Sequence, residues 1–356
     1  MIEDKLFSLL RVALWGEPMT CSVSKDEFGE VLRLAKQQTV YGLVFDGLSR
    51  LNEKYDKQQV LQGLAICQKI QNMNELVNRE MKGIVQIFNQ RNIDYLIVKG
   101  QAIGVLYPKQ HLRMPGDIDF LIRQEYNEVK EVIEKDFSIK LPEQMVEREI
   151  EFVHGGVSFE LHTNLRDWGR KKHDEVWDTL MEKEWINKFY VEIDGVKVRT
   201  LTATMNAAYV FIHLFFHFIR EGVSLRQLCD WLMVLHYYKD EIDQEALVEI
   251  LLDLDMLDAF CAFGTILIDH LGLPKNEFPM SMGFDGRKWQ GQLLKDIFDG
   301  GNFGKLHHRA SNSWKFKLET MQLAFRNTFR YYRLCPSEVG GMIPRLIKSN
   351  MKILQS

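Results

Sequence analysis

Arg113-Met114-Pro115-Gly116-Asp117-Ile118-Asp119-Phe120-Leu121-Ile122 is the stretch on which the reading of the whole chain turns. Its second half is a strand candidate, and on a strand residues two apart point to the same face. Asp117 and Asp119 therefore project together while Ile118 and Phe120 face a core. Two carboxylates held side by side repel one another unless a cation sits between them. A hard divalent ion with oxygen ligands answers that need, and magnesium is the expected ion. The plainer reading is an exposed strand end with two solvated aspartates. The surroundings favour the first. Upstream, Val98-Lys99-Gly100 ends an apolar strand at the start of a helix, where backbone N–H groups and an ammonium can face phosphate oxygens. Arg113 adds a further cation between the two elements.

Working outward, Ile93 to Val98 reads as a strand, Gly100 to Leu106 as a short helix and Gln124 to Lys135 as a longer one. Glu149 to Val153 and Val157 to His162 are strands joined at Gly155-Gly156, and Tyr190 to Ile193 and Val196 to Arg199 are strands joined at Asp194-Gly195. Both dipeptides suit two-residue hairpin turns. Apolar residues three and four apart, such as Leu6, Leu9, Leu10 and Ala13 or Met81, Ile84, Val85 and Phe88, make the chain before this segment helical. From Asn206 onward it is helical again. The expected fold is α+β: an N-terminal helical region over 1–90, an α/β core over 91–200 with a mixed or antiparallel sheet, and a C-terminal helical domain over 201–356.

Bulk properties set limits. The chain has 356 residues, 46% apolar and 26% charged, the balance of a globular protein long enough for more than one domain. A net charge of -4 gives no global attraction to nucleic acid or anionic membrane. Residues 303–356 differ, with ten Lys/Arg against two Glu, which suits either a solvated basic helical end or a surface that attracts a polyphosphate. Cys21, Cys67, Cys229, Cys261 and Cys335 form no C-x-x-C pair, so neither a disulfide framework nor a zinc ribbon is expected, and a reducing cytoplasm fits. The apolar run Met205 to Ile219 is shorter than the ~20 residues of a membrane span and carries His213 and His217. It is expected to be a buried helix. Those two histidines stand at metal-ligand spacing on a helix, but Leu214 occupies the place a zincin gives to Glu. A metal-dependent hydrolase centred on His213, His217 and nearby acids is the third-ranked reading. The glycine-rich stretch Asp299 to Gly304 lacks the order of a P-loop and reads as a turn.

The run Tyr95 to Ala102, leading through Leu106-Tyr107-Pro108 to Arg113 to Asp119, resembles the polymerase beta-like nucleotidyltransferase superfamily: an apolar strand, Gly-Ser or a variant, a short helix, then Asp-x-Asp. It looks most like the bacterial family called uncharacterised nucleotidyltransferases, in which Lys-Gly stands where the superfamily usually has Gly-Ser. That family also tends to show histidines followed by elements like Leu225-Arg226 and Asp230-Trp231, which suit a buried pair between helices or an approach to the nucleotide. The resemblance implies a third carboxylate on a later strand, supplied by Glu160 in Ser158-Phe159-Glu160-Leu161-His162. His162 shares its face and either lines the site or satisfies a polar edge. The resemblance further implies that Asp117, Asp119 and Glu160 bind two magnesium ions and carry catalysis. An acceptor hydroxyl or phosphate would attack the α-phosphorus of a nucleoside triphosphate, with AMP the expected group transferred and the acceptor a small molecule, protein or RNA. Lys99, Gly100 and Arg113 would bind the nucleotide. With Lys99-Gly100 in place of Gly-Ser, either these residues take over the serine's role or nucleotide binding is altered. A catalytically degenerate nucleotide-binding or protein-interaction module is the alternative.

Overall fold

The apolar spacing of the N-terminal region does form helices, at Ile2–Trp15, Lys25–Gln37 and Tyr41–Ser49, followed by a 35-residue helix Lys57–Arg91. In the computed structural model, residues 1–18, 22–51, 53–145, 149–166, 168–280, 286–301 and 314–341 are described. Cys21, the second half of the glycine-rich stretch ending at Gly304 and much of the basic C-terminal segment lie outside them. The chain divides into two compact units, one of residues 64–167 and 177–202, the other of residues 1–63, 168–176 and 203–356.

The first unit holds the strands β1 (Tyr95–Val98), β2 (Ile118–Ile122), β3 (Glu149–His154), β4 (Val157–His162), β5 (Phe189–Ile193) and β6 (Val196–Thr200). Four of them make one sheet in the order β1-β2-β4-β3, and β5 and β6 form a separate ribbon. The sheet is mixed: β2 runs parallel to β4 while the β1/β2 and β3/β4 pairs are antiparallel. Gly155 and Gly156 turn β3 into β4 with φ of 57° and 82°, and Asp194 and Gly195 turn β5 into β6 with φ of 46° and 78°. Both φ values are positive in each turn, as the preferred two-residue hairpins require.

One sheet face is apolar. Ile118, Phe120 and Ile122 of β2 and Val157, Phe159 and Leu161 of β4 pack with Val77, Met81, Ile84, Val85 and Phe88 of the long helix. Those five helix positions recur at three and four residues, which is why this stripe of Lys57–Arg91 is the buried one. Phe120 and Phe159 are fully buried with ring centroids 6.4 Å apart. Because β2 and β4 alternate, Asp119, Glu160 and His162 are placed on the opposite face.

In the second unit Met205 to Ile219 lies within the helix Ala203–Arg220, with Phe211, Phe215 and Phe218 fully buried. Further helices run over Leu225–Tyr237, Gln244–Asp253, Leu257–Asp269, Arg287–Gly300 and Trp314–Tyr331. No described helix is long and apolar enough to cross a membrane.

Candidate active site

Strand pairing, not nearness in sequence, brings the acids together. Asp119 stands beside Glu160 in the β2/β4 register, Val98 is its partner on β1, and Glu151 is the partner of Glu160 on β3. Val98, Asp119, Glu160 and Glu151 thus form one row across the sheet. Two rows on, and so on the same face, Leu121, His162 and Glu149 are aligned. Asp117, immediately before β2, lies close enough to Glu160 to help raise its carboxyl. The two aspartates and Glu160 are therefore gathered at one place.

Lys99 follows Val98 at the end of β1, and its Nζ lies 2.8 Å from Asp119 Oδ1. The turn that aims it is unusual for a side-chain-bearing residue: Lys99 has φ 60° and ψ -147°, and Gly100 has φ 48°. A non-glycine in such a region costs on the order of 1–3 kcal/mol. Gly100 starts the helix Gly100–Gly104 and passes so close to β2 that a Cβ on it would lie 3.2 Å from the Asp117 carbonyl oxygen. The close approach and the positive φ together disfavour a side chain at that position.

His162 closes the cluster. Its Nε2 is 3.4 Å from Asp119 Oδ1 and 3.6 Å from Glu160 Oε2, and its Nδ1 is 3.4 Å from Glu149 Oε2. Asp119 and His162 are buried, and Glu160 is partly so. Burial works against the charge on Asp119, but the Lys99 ammonium and the His162 hydrogen bond outweigh it and hold this carboxyl well below the usual range. Glu160 is displaced the other way. Burial and, against a His162 hydrogen bond, the adjoining Asp119 and Asp117 raise it to about 8. Burial alone would lower His162, yet its hydrogen bond to Asp119 and the nearby Glu160 carboxyl raise it to about 9.

Arg113 is itself buried, with Nη1 donating to the Met114 carbonyl at 3.5 Å. Its own carbonyl accepts from Asn74 Nδ2 at 2.9 Å. Asn74 also accepts from Gln101 Nε2 at 3.3 Å, and Gln101 Nε2 donates to Asn78 Oδ1. This buried amide network ties the loop before Asp117 and the helix after Gly100 to the long helix. Sequence reasoning passed over Asn74, Asn78 and Glu149. The signal for the first two was present: amides four residues apart beside Val77 and Met81, on the otherwise apolar stripe.

Asp119, Glu160 and His162 are the described residues that bring three donors of metal-ligating type within 4.8 Å of one another. The chemistry of the set fits a divalent cation, whose charge would offset the repulsion among Asp117, Asp119 and Glu160. His213 and His217 present Nε2 atoms 3.1 Å apart, and Glu221 meets the other ring nitrogen of His217 at 3.3 Å. Trp231 donates from Nε1 to the Ala207 carbonyl and packs against Phe211 and Phe260, a structural role. A groove of about 790 Å³ bounded by Glu245, Val248, Leu252 and Met280 contains none of the acidic cluster.

Fold and site together define an α+β protein with an acidic centre on one face of a mixed sheet, fronted by a lysine-bearing turn. Residues 24–271 match the family described as uncharacterised nucleotidyltransferase, and the chain belongs to that family. A crystal structure of an antigenic nucleotidyltransferase-like protein from Paracoccidioides brasiliensis is similar at 15% identity, covering 52% of this chain and 92% of that one with a TM-score of 0.34. No curated protein matches the chain.

Proposed function

We propose that the protein is a magnesium-dependent nucleotidyltransferase that moves a nucleoside monophosphate, in the first instance AMP, from a nucleoside triphosphate to an acceptor. The observation that carries this reading is the register of Asp119 beside Glu160, with the Asp117 carboxylate near Glu160 and Lys99 Nζ 2.8 Å from Asp119. Family membership supports it. Asp117, Asp119 and Glu160 are the residues that would hold magnesium. Bound there, the metal would supply positive charge to the phosphate oxygens and make an acceptor hydroxyl more acidic.

In the reaction the acceptor oxygen bonds to the α-phosphorus, the bond from α-phosphorus to the β-phosphate oxygen breaks, and pyrophosphate leaves. Glu160 takes the acceptor's proton. Lys99, the Gly100 N–H and Arg113 offset charge on the triphosphate. The acceptor is a small molecule, a protein or an RNA end, and Cys67, Cys229, Cys261 and Cys335, none of them in a disulfide, suit a cytoplasmic setting.

The test is incubation of the purified protein with α-labelled ATP, magnesium and a cell extract. The expected result is magnesium-dependent label on one acceptor, lost in Asp117→Asn. Absence of any magnesium-dependent nucleotide binding, or binding unchanged in that variant, contradicts the proposal. The Lys99 ammonium, which already neutralises Asp119 at a turn where Gly-Ser is usual, favours a second reading as a nucleotide-binding module without turnover. Nucleotide binding with no pyrophosphate release across a broad acceptor panel would select it.

A further inference from the structure

His162 is a nitrogen donor within an acidic cluster, and the sheet places it there. It lies two residues after Glu160 on β4, hence on the same face, and directly opposite Glu149 in the β3/β4 register. Its Nε2 is 3.4 Å from Asp119 Oδ1 and 3.6 Å from Glu160 Oε2. Donor atoms bonded to one ion at about 2.0–2.2 Å stand roughly 3–3.5 Å from one another, so His162 Nε2 is close to ligand spacing from each oxygen, and the three residues offer donor atoms within 4.8 Å of one another.

The other side of the ring carries a second sign. Histidines that bind metals hold their remaining ring N–H against a carboxylate or carbonyl, which fixes the tautomer and turns the free lone pair toward the ion. Glu149 Oε2 lies 3.4 Å from His162 Nδ1, on the side of the ring away from Asp119 and Glu160. A histidine serving only to neutralise Asp119 has no need of that outer carboxylate.

We propose that His162 Nε2 is a ligand of the ion shared by Asp119 and Glu160, making the centre a mixed nitrogen and oxygen site. Such a site takes a first-row transition ion in preference to Mg²⁺, because imidazole suits ions such as Fe²⁺ and Zn²⁺ and adds little for magnesium, and Mn²⁺ serves as the paramagnetic probe of the nitrogen ligand. The inference rests on the nucleotidyltransferase reading for the purpose of the ion, and it alters that reading's expectation of which ion is bound most tightly. Glu149 is a positioning residue that acts through His162.

The experiment is Mn²⁺ titration of the full-length protein, with and without ATP, followed by pulsed electron paramagnetic resonance. The spin-echo modulation reports directly bonded nitrogen without any measurement of activity. Wild type is expected to show one coordinated nitrogen, and His162→Gln to lose it together with about tenfold or more of its Mn²⁺ affinity while Mg²⁺ affinity changes far less. Glu149→Gln keeps the nitrogen coupling and loses affinity by a smaller factor. Mn²⁺ bound to wild type without nitrogen coupling, or coupling that persists in His162→Gln, overturns the proposal. A wild-type spectrum without nitrogen coupling is decisive by itself, whether or not a variant folds. Failure of Mn²⁺ to bind even with ATP overturns both this inference and the proposed function, whereas ATP-dependent binding without a nitrogen signal overturns this inference alone.

Discussion

Asp119 in the sheet unit and Asp296 in the helical unit are both buried aspartates, but they have different company. Arg330 Nη1 donates to the two oxygens of Asp296 at 2.8 and 2.6 Å, Tyr331 Oη donates at 2.6 Å and Gln292 Nε2 at 3.1 Å. Every one of these neighbours is a donor. Asp119 meets Lys99 and His162, but Glu160 stands beside it in register, Asp117 reaches Glu160, and Glu149 faces the far side of His162. A closed cluster settles its own charge and holds helices. An acid-rich one leaves oxygens in excess of its cations, as a site for a bound cation does.

The comparison breaks most visibly at Asp296. Asp296→Asn weakens a buried ion pair and should cost about 3–5 kcal/mol of stability, read as a lowered urea midpoint. Nucleotide and metal binding by the folded fraction should be unchanged, and a binding defect there would blur the distinction drawn between the clusters. Lys99→Met comes next. Removal of the ammonium that faces Asp119 should weaken ATP affinity about 10–100-fold in equilibrium titration, as loss of a charge-assisted contact to phosphate does. Unaltered affinity would assign Lys99 to the structure of the turn.

The smallest effect is a pH slope in the metal-free protein. Glu160 is raised from 4.5 to about 8 and His162 from 6.5 to about 9, so in both cases the folded state binds more protons than the unfolded one. The stability that His162 contributes is complete below pH 6.5 and lost as pH rises through 9, and Glu160 adds a loss of the same sign up to about pH 8. Urea midpoints measured in chelator should therefore fall from pH 6.5 to 9, and fall less in Glu160→Gln. A rising midpoint, or identical slopes, would remove the account of the crowded carboxylates.

What the sequence made legible was local. Asp117-Ile118-Asp119 alternates, the Gly155-Gly156 and Asp194-Gly195 turns carry their own chemistry, and the α+β order of elements follows from where apolar spacing changes. Glu160 entered through the family resemblance, because its place beside Asp119 depends on parallel pairing across forty residues of chain. Glu149 could not be found at all by such means, since its role depends on register with His162. The helix Lys171–Ile186 was also unanticipated, for a different reason. Its buried positions include His173 and Glu184, and His173 pairs with the fully buried Glu338. Trp177, Met181 and Trp185 are buried at four-residue spacing on the same helix, but His173 and Glu184 interrupt that apolar stripe and weaken its periodicity.

The most direct test of the central claim is calorimetric titration of ATP, with and without magnesium, into wild type, Asp119→Asn and Asp296→Asn. The account predicts magnesium-dependent binding by wild type and by folded Asp296→Asn, and a loss of about 100-fold or more in Asp119→Asn, the cost of removing a charge that holds the metal. Magnesium-dependent binding that survives intact in Asp119→Asn would contradict it.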